Sequence, residues 1–343
     1  MTRLEQLISS GKPWLTDGGL ETSMIYDEGF ELPYFASFTL LDSNAGRAAL
    51  ARYFGHYIRL ARLSGTGFVL DTATWRAGTE WGRVMGHDAA RMRAINAEAV
   101  DFAADFRARN EDAALPIILN GVIGPSGDGY TLEAALDGQT ALARHIVQAE
   151  ALAGAGADML SAITMTHSGE GIGVTLAARA VGLPVVVSFT VETDGRLPSG
   201  ETLAEAIAAT DAATGATTGG GPLYYMVNCA HPMHFEHVLD AGAPWLARIL
   251  GLRANASTKS HAELDEATDL DDYWLFLLCG LPPWVFLAGS LQTAARSLLE
   301  NANLIRKVRF PRQLVPLSIV ATQVVAFAVM LGIVLVLCLV VLP

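Results

Sequence analysis

Hydrophobic positions follow two alternating patterns from the N-terminus to about residue 272. Short, continuous apolar runs alternate with longer alanine-rich stretches, in which apolar residues recur at every third or fourth position. Continuous runs of this length are typical of strands buried on both faces, and the longer stretches predict helices. The predicted strands are residues 14–16, 67–70, 116–119, 158–163, 184–189, 223–227 and 249–252.

Helices are predicted between these strands, over residues 48–63, 89–109, 132–155, 170–181, 203–213 and 233–241. Repeated strand–helix units build a parallel sheet, so the fold class is α/β. Seven units in this length favour a (β/α)8 TIM-type barrel. The pattern contains no eighth strand, so we predict a barrel truncated before strand 8. A doubly wound sheet is the structural alternative.

Polar residues gather where the predicted strands end, namely Asp17, Asp71, Asn120, Asn228, Cys229 and Asn255. Active sites of barrel enzymes lie at the C-terminal ends of the strands, which makes these residues candidates for chemistry. The alternative is that they cap strands and helices. Cys229 follows the sixth strand directly, where a thiolate metal ligand or nucleophile is expected; a small buried core cysteine is the other interpretation.

The pattern changes at residue 273. Residues 273–295 and 313–343 contain no charged side chain, and each run exceeds the roughly 20 apolar residues that cross a bilayer. We therefore predict about two transmembrane α-helices in contact with lipid. The intervening residues 296–312 carry five basic side chains, which favours a cytoplasmic position for this loop.

Two domains follow from this division, residues 1–272 and residues 273–343. The formal net charge is −12, and the acidic body has no basic stripe, which argues against a nucleic-acid partner. Three widely spaced cysteines do not form a disulfide framework. The N-terminal residues lack the pattern of a signal peptide. We expect a cytoplasmic barrel, tethered to the inner (plasma) membrane if the tail inserts.

Six sequence segments resemble the homocysteine S-methyltransferase family over about residues 10–272. They are DGGLET (17–22), LDTATWRAG (70–78), NGVIGPSGDGY (120–130), SFTVETDGRLPSG (188–200), VNCAHPMHF (227–235) and GLRANASTKSHAELDEATDLDD (251–272). The resemblance implies a (β/α)8 barrel that passes a methyl group from a small donor to the thiol of homocysteine, giving methionine. It leaves the donor open among S-methylmethionine, betaine, a methylfolate and S-adenosylmethionine.

The resemblance also implies a Zn²⁺ site built from three cysteines. One follows strand six in an Asn-Cys step, which Asn228-Cys229 matches. The other two form an adjacent Cys-Cys pair after strand eight, and this chain contains no adjacent cysteines. The predicted zinc site is therefore incomplete, with Cys229 as its ligand. The histidines 231, 234 and 261 are possible substitutes, and capping or surface positions are their simpler interpretation.

Substrate-binding residues carried over from the resemblance are Asp17, Gly18, Gly19, Glu21, Thr72, Asn228 and Asn255. The family commonly has a glutamate at the end of strand four for the amino group of the substrate, whereas this chain reads Ala162-Ile163-Thr164 there. Asp17 and Glu21 are the carboxylates left for an ammonium group, and turn or N-cap roles are their alternative. The two asparagines are candidate donors to a substrate carboxylate.

The tail resembles part of the inner-membrane permease of ABC-type polysaccharide or O-antigen exporters. The most specific segment is NANLIRKVRFPRQLVPL (301–317). In that family it lies near the contact with the ATPase subunit, so residues 296–312 are the candidate contact with an ABC ATPase. Three functions stay open: a zinc-dependent methyltransferase, a permease fragment, and a non-functional chimera of the two.

Overall fold

The computed structural model describes residues 2–9, 11–132, 134–239 and 242–265, and also 317–318, 321–322, 324, 327–328 and 331–332. The chain divides into two compact units, Met1–Ala262 and Glu263–Pro343. The first unit contains the sheet and the candidate site.

Seven parallel strands form one sheet in the first unit. They are β1 (Leu15–Thr16), β2 (Phe68–Asp71), β3 (Ile117–Ile123), β4 (Met159–Met165), β5 (Val185–Phe189), β6 (Tyr225–Asn228) and β7 (Ile249–Arg253). Each strand pairs with the next strand along the chain. A doubly wound sheet reverses its strand order at a switch point, so this sequential order favours the barrel arrangement over that alternative.

The described helices are α1 (Arg3–Ser9), α2 (Leu20–Thr22), α3 (Asn44–Ser64), α4 (Thr79–Val84), α5 (Ala89–Asn110), α6 (Gly138–Gly154), α7 (Ser168–Ala180), α8 (Leu203–Thr214), α9 (Pro232–Phe235) and α10 (His261–Asp265). The predicted helix over 233–241 is wrong in extent, because α9 ends at Phe235 and a 3₁₀ turn, Glu236–Val238, follows it. The sequence analysis also missed α4.

Local sequence signals explain where the long helices begin and end. The Ser43 side chain accepts a hydrogen bond from the Gly46 amide at the start of α3. That helix ends at Gly65, whose φ of 63° lies in the left-handed region that glycine tolerates best. Thr202 and Glu205 form a reciprocal capping box at the start of α8. These contacts satisfy backbone groups that a helix end would otherwise leave unpaired.

Strands β2 to β6 are buried at every residue, as their continuous apolar sequences predict. Strand β7 differs, since its residues alternate between partly buried and exposed positions. Leu250 is 66% exposed and Leu252 is 51% exposed. Within the described residues, β7 pairs only with β6. In a complete barrel, strand 8 would pair with this edge of β7.

One predicted strand end is wrong. The prediction stops the third strand at residue 119 and places Asn120 just beyond it, whereas β3 continues to Ile123. Asn120 therefore lies within the strand, paired in register with Asp71 of β2. The continuation Gly121-Val122-Ile123 is apolar enough to extend the ladder, and Asn120 is tolerated there because its side chain is hydrogen-bonded.

Both predicted membrane spans, residues 273–295 and 313–343, and the basic loop 296–312 fall wholly or largely outside the described residues. The described positions between 317 and 332 are helical. Among the residues that the structure describes, no helix has the length and apolar character needed to cross a membrane.

Candidate functional site

A buried cluster of two carboxylates and one arginine lies at the C-terminal ends of three strands. Arg253 ends β7, and its Nη1 is 2.6 Å from Asp71 Oδ2 and 3.4 Å from Asp17 Oδ1. Asp71 ends β2, and Asp17 follows β1 directly. The arginine thus connects the last described strand to the first two, across the edge where β7 has no further partner among the described residues.

Burial acts differently on the pKa values of Asp17 and Arg253 in this cluster. Burial and the neighbouring Asp71 raise the pKa of Asp17 well above its usual range, and Arg253 opposes that shift. Burial disfavours the charge of Arg253, but the two aspartates outweigh it and raise its pKa. Arg253 therefore stays cationic, with two buried carboxyl groups around it.

Neighbouring polar side chains hold Asp71 in place. Asn120 Nδ2 donates to Asp71 Oδ1 at 2.7 Å, and Ser161 Oγ donates to Asn120 Oδ1 at 2.9 Å. Thr72, a predicted substrate residue, makes its contacts within the protein. Its hydroxyl accepts from the Val122 amide at 3.1 Å and lies 2.6 Å from the Thr74 hydroxyl.

Asn228 is the centre of a second network, at the end of β6. Its Oδ1 accepts hydrogen bonds from the Ser188 hydroxyl at 2.6 Å and the Thr164 amide at 3.1 Å. Its Nδ2 donates to Thr164 Oγ1 at 2.9 Å and approaches Cys229 Sγ at 3.1 Å. All its polar atoms are engaged in this state, so binding a substrate carboxylate through Asn228 requires one of these bonds to be exchanged.

Cys229 and Thr164 share an uncommon backbone conformation. Their φ angles are 55° and 67°, in the left-handed region that residues with a side chain rarely adopt. Such strain costs on the order of 1–3 kcal/mol per residue and persists where the surroundings fix it. Here the Asn228 side chain bonds both residues, which fixes the direction of the Cys229 thiol.

The donor set around Cys229 does not fit a zinc ion. No group of three or more His, Cys, Asp or Glu side chains suited to a metal occurs in the part of the chain that the structure describes. The three candidate histidines are engaged elsewhere: His231 Nδ1 accepts from the Met233 amide, His234 Nε2 lies 2.9 Å from the Thr258 carbonyl, and His261 Nε2 lies 2.8 Å from the Cys229 carbonyl.

The segment after β1 brings further predicted residues to this face. Gly18 lies against a tyrosine, because a Cβ at Gly18 would sit 2.7 Å from the Tyr57 hydroxyl. Gly19 is the N-cap of α2, where no side chain makes a capping hydrogen bond. Glu21 accepts from the Ser37 hydroxyl at 2.7 Å, and burial of its carboxyl raises its pKa despite that bond. Neither Asp17 nor Glu21 is an N-cap here.

Asn255 lies two residues beyond β7. Its amide donates to the Ala230 carbonyl at 3.0 Å, and its Oδ1 accepts from the Ser257 amide at 3.3 Å. The residue is half-buried. The structure therefore connects Asn255 to the loop after β6, which carries Cys229.

Two residues outside the predicted site also lie at these strand ends. Arg253 lies two positions before the predicted Asn255 in the sequence, and spacing alone gives it no role. Arg76 follows β2 and is only 4% exposed. Its guanidinium lies 4.1 Å from the ring centroid of Trp75 and 3.9 Å from that of Trp81. Tryptophans six positions apart beside an arginine were the only local signal of this stacking.

Comparison with known proteins gives one family and one fold. The model of the family described as homocysteine S-methyltransferase matches residues 14–275. A crystal structure of the homocysteine methyltransferase MmuM from Escherichia coli, oxidised form, is similar with a TM-score of 0.58 at 19% identity, covering 78% of this chain and all of that one. The metallated form of MmuM gives a TM-score of 0.57 at 20% identity, covering 75% and 96%.

Curated relatives match a much smaller part. An O-antigen export system permease protein, RfbA from Klebsiella pneumoniae, is 43% identical over 49 residues, or 14% of this chain and 19% of that protein. RfbA from Myxococcus xanthus is 33% identical over 69 residues, or 20% and 26%. The chain thus spans about a fifth to a quarter of the length of the curated relatives it matches.

Proposed function

This chain belongs to the homocysteine S-methyltransferase family, and we propose that its barrel transfers a methyl group from a small donor to the thiol of homocysteine, giving methionine. The observation that carries the proposal is the match of the family model to residues 14–275. The fold similarity to MmuM and the polar residues gathered at the strand ends agree with it.

The proposed reaction forms one bond and breaks another. The sulfur of homocysteine bonds to the methyl carbon while the donor's bond to that carbon breaks. With a sulfonium or quaternary ammonium donor, the donor's sulfur or nitrogen keeps the electron pair of the broken bond and loses its positive charge, and the thiol proton goes to solvent. The thiolate is the nucleophile, so the step needs the thiol to ionise.

The carboxyl groups at the strand ends can bind the ammonium group of an amino-acid substrate. Asp17 and Glu21 are carboxyl groups on the segment after β1 where an ammonium group can be received. Each has a raised pKa in the free protein, because it is buried. A bound ammonium group would favour the ionised form of the carboxyl beside it, so substrate binding and carboxyl ionisation are coupled.

Zinc is the cofactor that the family implies, and it would supply a thiolate at neutral pH by lowering the thiol pKa. The described residues offer Cys229 and no complete donor set. We therefore derive no step through the metal. The contribution assigned to this chain is binding and orientation by the residues around Asp17 and Asn228.

The test is methyl transfer by the purified full chain in detergent. L-homocysteine is incubated with each of the four donors carrying a labelled methyl group, and labelled methionine is measured by mass spectrometry. We expect labelled methionine with one donor, and a loss of about tenfold or more in kcat/KM in Asp17→Asn. The matched control, Asp42→Asn, alters a surface carboxylate that pairs with Arg91 and should keep the wild-type rate. Absence of labelled methionine with all four donors contradicts the proposal.

A second candidate function concerns the tail. The short matches to RfbA favour a permease-derived segment, with lipid contacts through 273–295 and 313–343 and an ABC ATPase contact through 296–312. Membrane fractionation of the expressed chain, followed by carbonate extraction, tests it. Release of the chain into the carbonate supernatant contradicts membrane insertion, and the methyl-transfer assay is independent of that result.

A further inference from the structure

We propose that Arg76, with the tryptophan pair Trp75 and Trp81, forms a subsite for the carboxylate group of a substrate of this barrel. The proposal rests on the proposed function and adds a binding residue to it. The same chemistry fits the carboxylate of the thiol acceptor or of the methyl donor, and the experiment below separates these two sources.

Arg76 is a buried cation without an anionic partner in the described part of the chain. A guanidinium has five N–H donors. Nη1 donates to the Gly127 carbonyl at 2.8 Å, and Nε is buried with no hydrogen-bond partner. Burying an arginine without a partner is costly, so such a group is expected to have a ligand or a role.

The carboxylates whose charge acts on Arg76 are engaged elsewhere. Those that influence its charge include Asp128, Glu21 and Glu170. Asp128 accepts from the amides of Tyr130 and Thr131, Glu21 from Ser37, and Glu170 from the Ser126 amide and His145. None of the three forms an ion pair with Arg76 within the described residues. Burial lowers the pKa of Arg76 to about 10, so it is still a cation at neutral pH.

The tryptophan pair is fixed by its own hydrogen bonds. Trp75 Nε1 donates to the Ile163 carbonyl at 3.2 Å, and Trp81 Nε1 donates to the Pro125 carbonyl at 3.0 Å. Both ring centroids lie about 4 Å from the guanidinium carbon, and rings supply no hydrogen-bond acceptor in the plane of the N–H groups, so an acceptor there must come from a backbone or a ligand. Arg76 therefore keeps N–H groups, Nε among them, for the paired hydrogen bonds by which a planar guanidinium binds a carboxylate.

Contacts connect Arg76 to the thiol-bearing strand end. Trp75 bonds the backbone at Ile163, next to Thr164, and Thr164 bonds Asn228, which contacts Cys229. On the other side, Gly127 lies in the loop that carries Tyr130, and the Tyr130 ring is 4.4 Å from the ring of His261. Arg76 is therefore part of the same group of loops as the predicted substrate residues.

The test is calorimetric titration of the full chain in detergent with two pairs of ligands. The acceptor pair is L-homocysteine and 3-aminopropane-1-thiol, which lacks only the carboxylate. The donor pair is S-methyl-L-methionine and (3-aminopropyl)dimethylsulfonium, which differ in the same way. The variants are Arg76→Gln and Arg76→Lys, and the matched control is Arg83→Gln, which alters an exposed arginine paired with Glu80 nearby.

We expect the wild type to prefer the carboxylate-bearing member of one pair by about 10- to 100-fold. Arg76→Gln should abolish that preference, Arg76→Lys should retain part of it, and Arg83→Gln should keep all of it. The ligand pair for which Arg76→Gln loses the preference shows whether the carboxylate belongs to the acceptor or to the donor. If circular dichroism shows that Arg76→Gln is unfolded, the partial loss in Arg76→Lys carries the test.

Two results overturn the proposal: a wild type without a preference in either pair, and a wild-type preference retained in folded Arg76 variants. Neither depends on turnover. A chain with an Arg76-dependent preference that makes no methionine overturns the proposed function alone. A chain that makes methionine while its Arg76 variants keep the preference overturns the subsite alone.

Discussion

Two arginines at the strand ends, the buried Arg76 and the largely buried Arg253, have their charges satisfied in different ways. Arg253 is held by two carboxylates from other strands, at 2.6 Å and 3.4 Å. Arg76 is held by two aromatic rings and one backbone carbonyl. The first arrangement satisfies the charge inside the protein, whereas the second leaves hydrogen-bonding capacity for a ligand. The contrast separates an arginine whose charge is satisfied within the protein from an arginine that is a candidate binding group, although both lie on the same face.

The cluster around Arg253 has a consequence for the edge of the sheet. Its three residues come from the ends of β1, β2 and β7, which are not neighbours in the described sheet beyond the β1–β2 pair. Packing at this edge is weaker, since β7 has exposed leucines. The ion cluster therefore connects β7 to β1 and β2, whereas apolar contacts connect the other strands.

The largest effect is predicted for Arg253→Met, which leaves two buried carboxyl groups without their cation. Removal of one partner from a buried ion pair typically costs about 3–5 kcal/mol. We expect a loss of this size in the free energy of unfolding, measured by urea titration monitored by tryptophan fluorescence. Arg248→Met is the matched control, because Arg248 pairs with one partly exposed carboxylate, Asp211, and should lose clearly less. Equal losses in the two variants contradict the assigned role of the cluster.

Glu170 tests whether a second buried charge with partners inside the protein also stabilises the fold, as Arg253 is expected to do. Burial disfavours its ionised form, but hydrogen bonds from His145 and Ser126 outweigh burial and lower its pKa to about 2. A depressed carboxylate pKa stabilises the fold above the unfolded value of about 4.5, and that contribution disappears as pH falls toward 2.

We expect the wild type to lose about 3 kcal/mol between pH 5 and pH 2 from this group, in addition to other losses. Glu170→Gln should be less stable at neutral pH and should have a flatter acid dependence. The check is urea unfolding at closely spaced pH values. The control is Glu150→Gln, a half-exposed surface partner of Arg93, which should follow the wild-type curve. If Glu170→Gln loses as much unfolding free energy between pH 5 and pH 2 as the wild type, this carboxylate is not the source of that loss.

The sequence predicts the sheet well, because its signal is local. Continuous apolar runs locate all seven strands within a few residues, and their order follows from the alternation with helices. The extent of β3 was mispredicted because one polar residue, Asn120, was interpreted as an end. Its tolerance inside the strand depends on partners 49 and 41 residues away, Asp71 and Ser161, which no local window contains.

The sequence predicts where polar residues lie at the strand ends, but not which contacts they make. Asp17, Asn228 and Cys229 do lie at strand ends, as expected of a barrel. The pairing of Asp71 with Arg253 joins residues 182 positions apart, and the orientation of His261 toward the Cys229 carbonyl depends on the loop after β7. Such contacts depend on the folded arrangement of the strands, so sequence spacing alone does not indicate them.

The smallest effect is predicted for Arg76→Met, and it sharpens the contrast between the two arginines. Methionine keeps most of the apolar contact with the tryptophan pair, and it removes a charge whose burial is unfavourable. The lost cation–π contacts contribute about 0.5–2 kcal/mol, which this relief offsets in part. We expect the free energy of unfolding to change by no more than about 1 kcal/mol, measured as for Arg253→Met. A loss as large as that of Arg253→Met would mean that Arg76 is satisfied within the protein, and the contrast on which the carboxylate subsite depends would disappear.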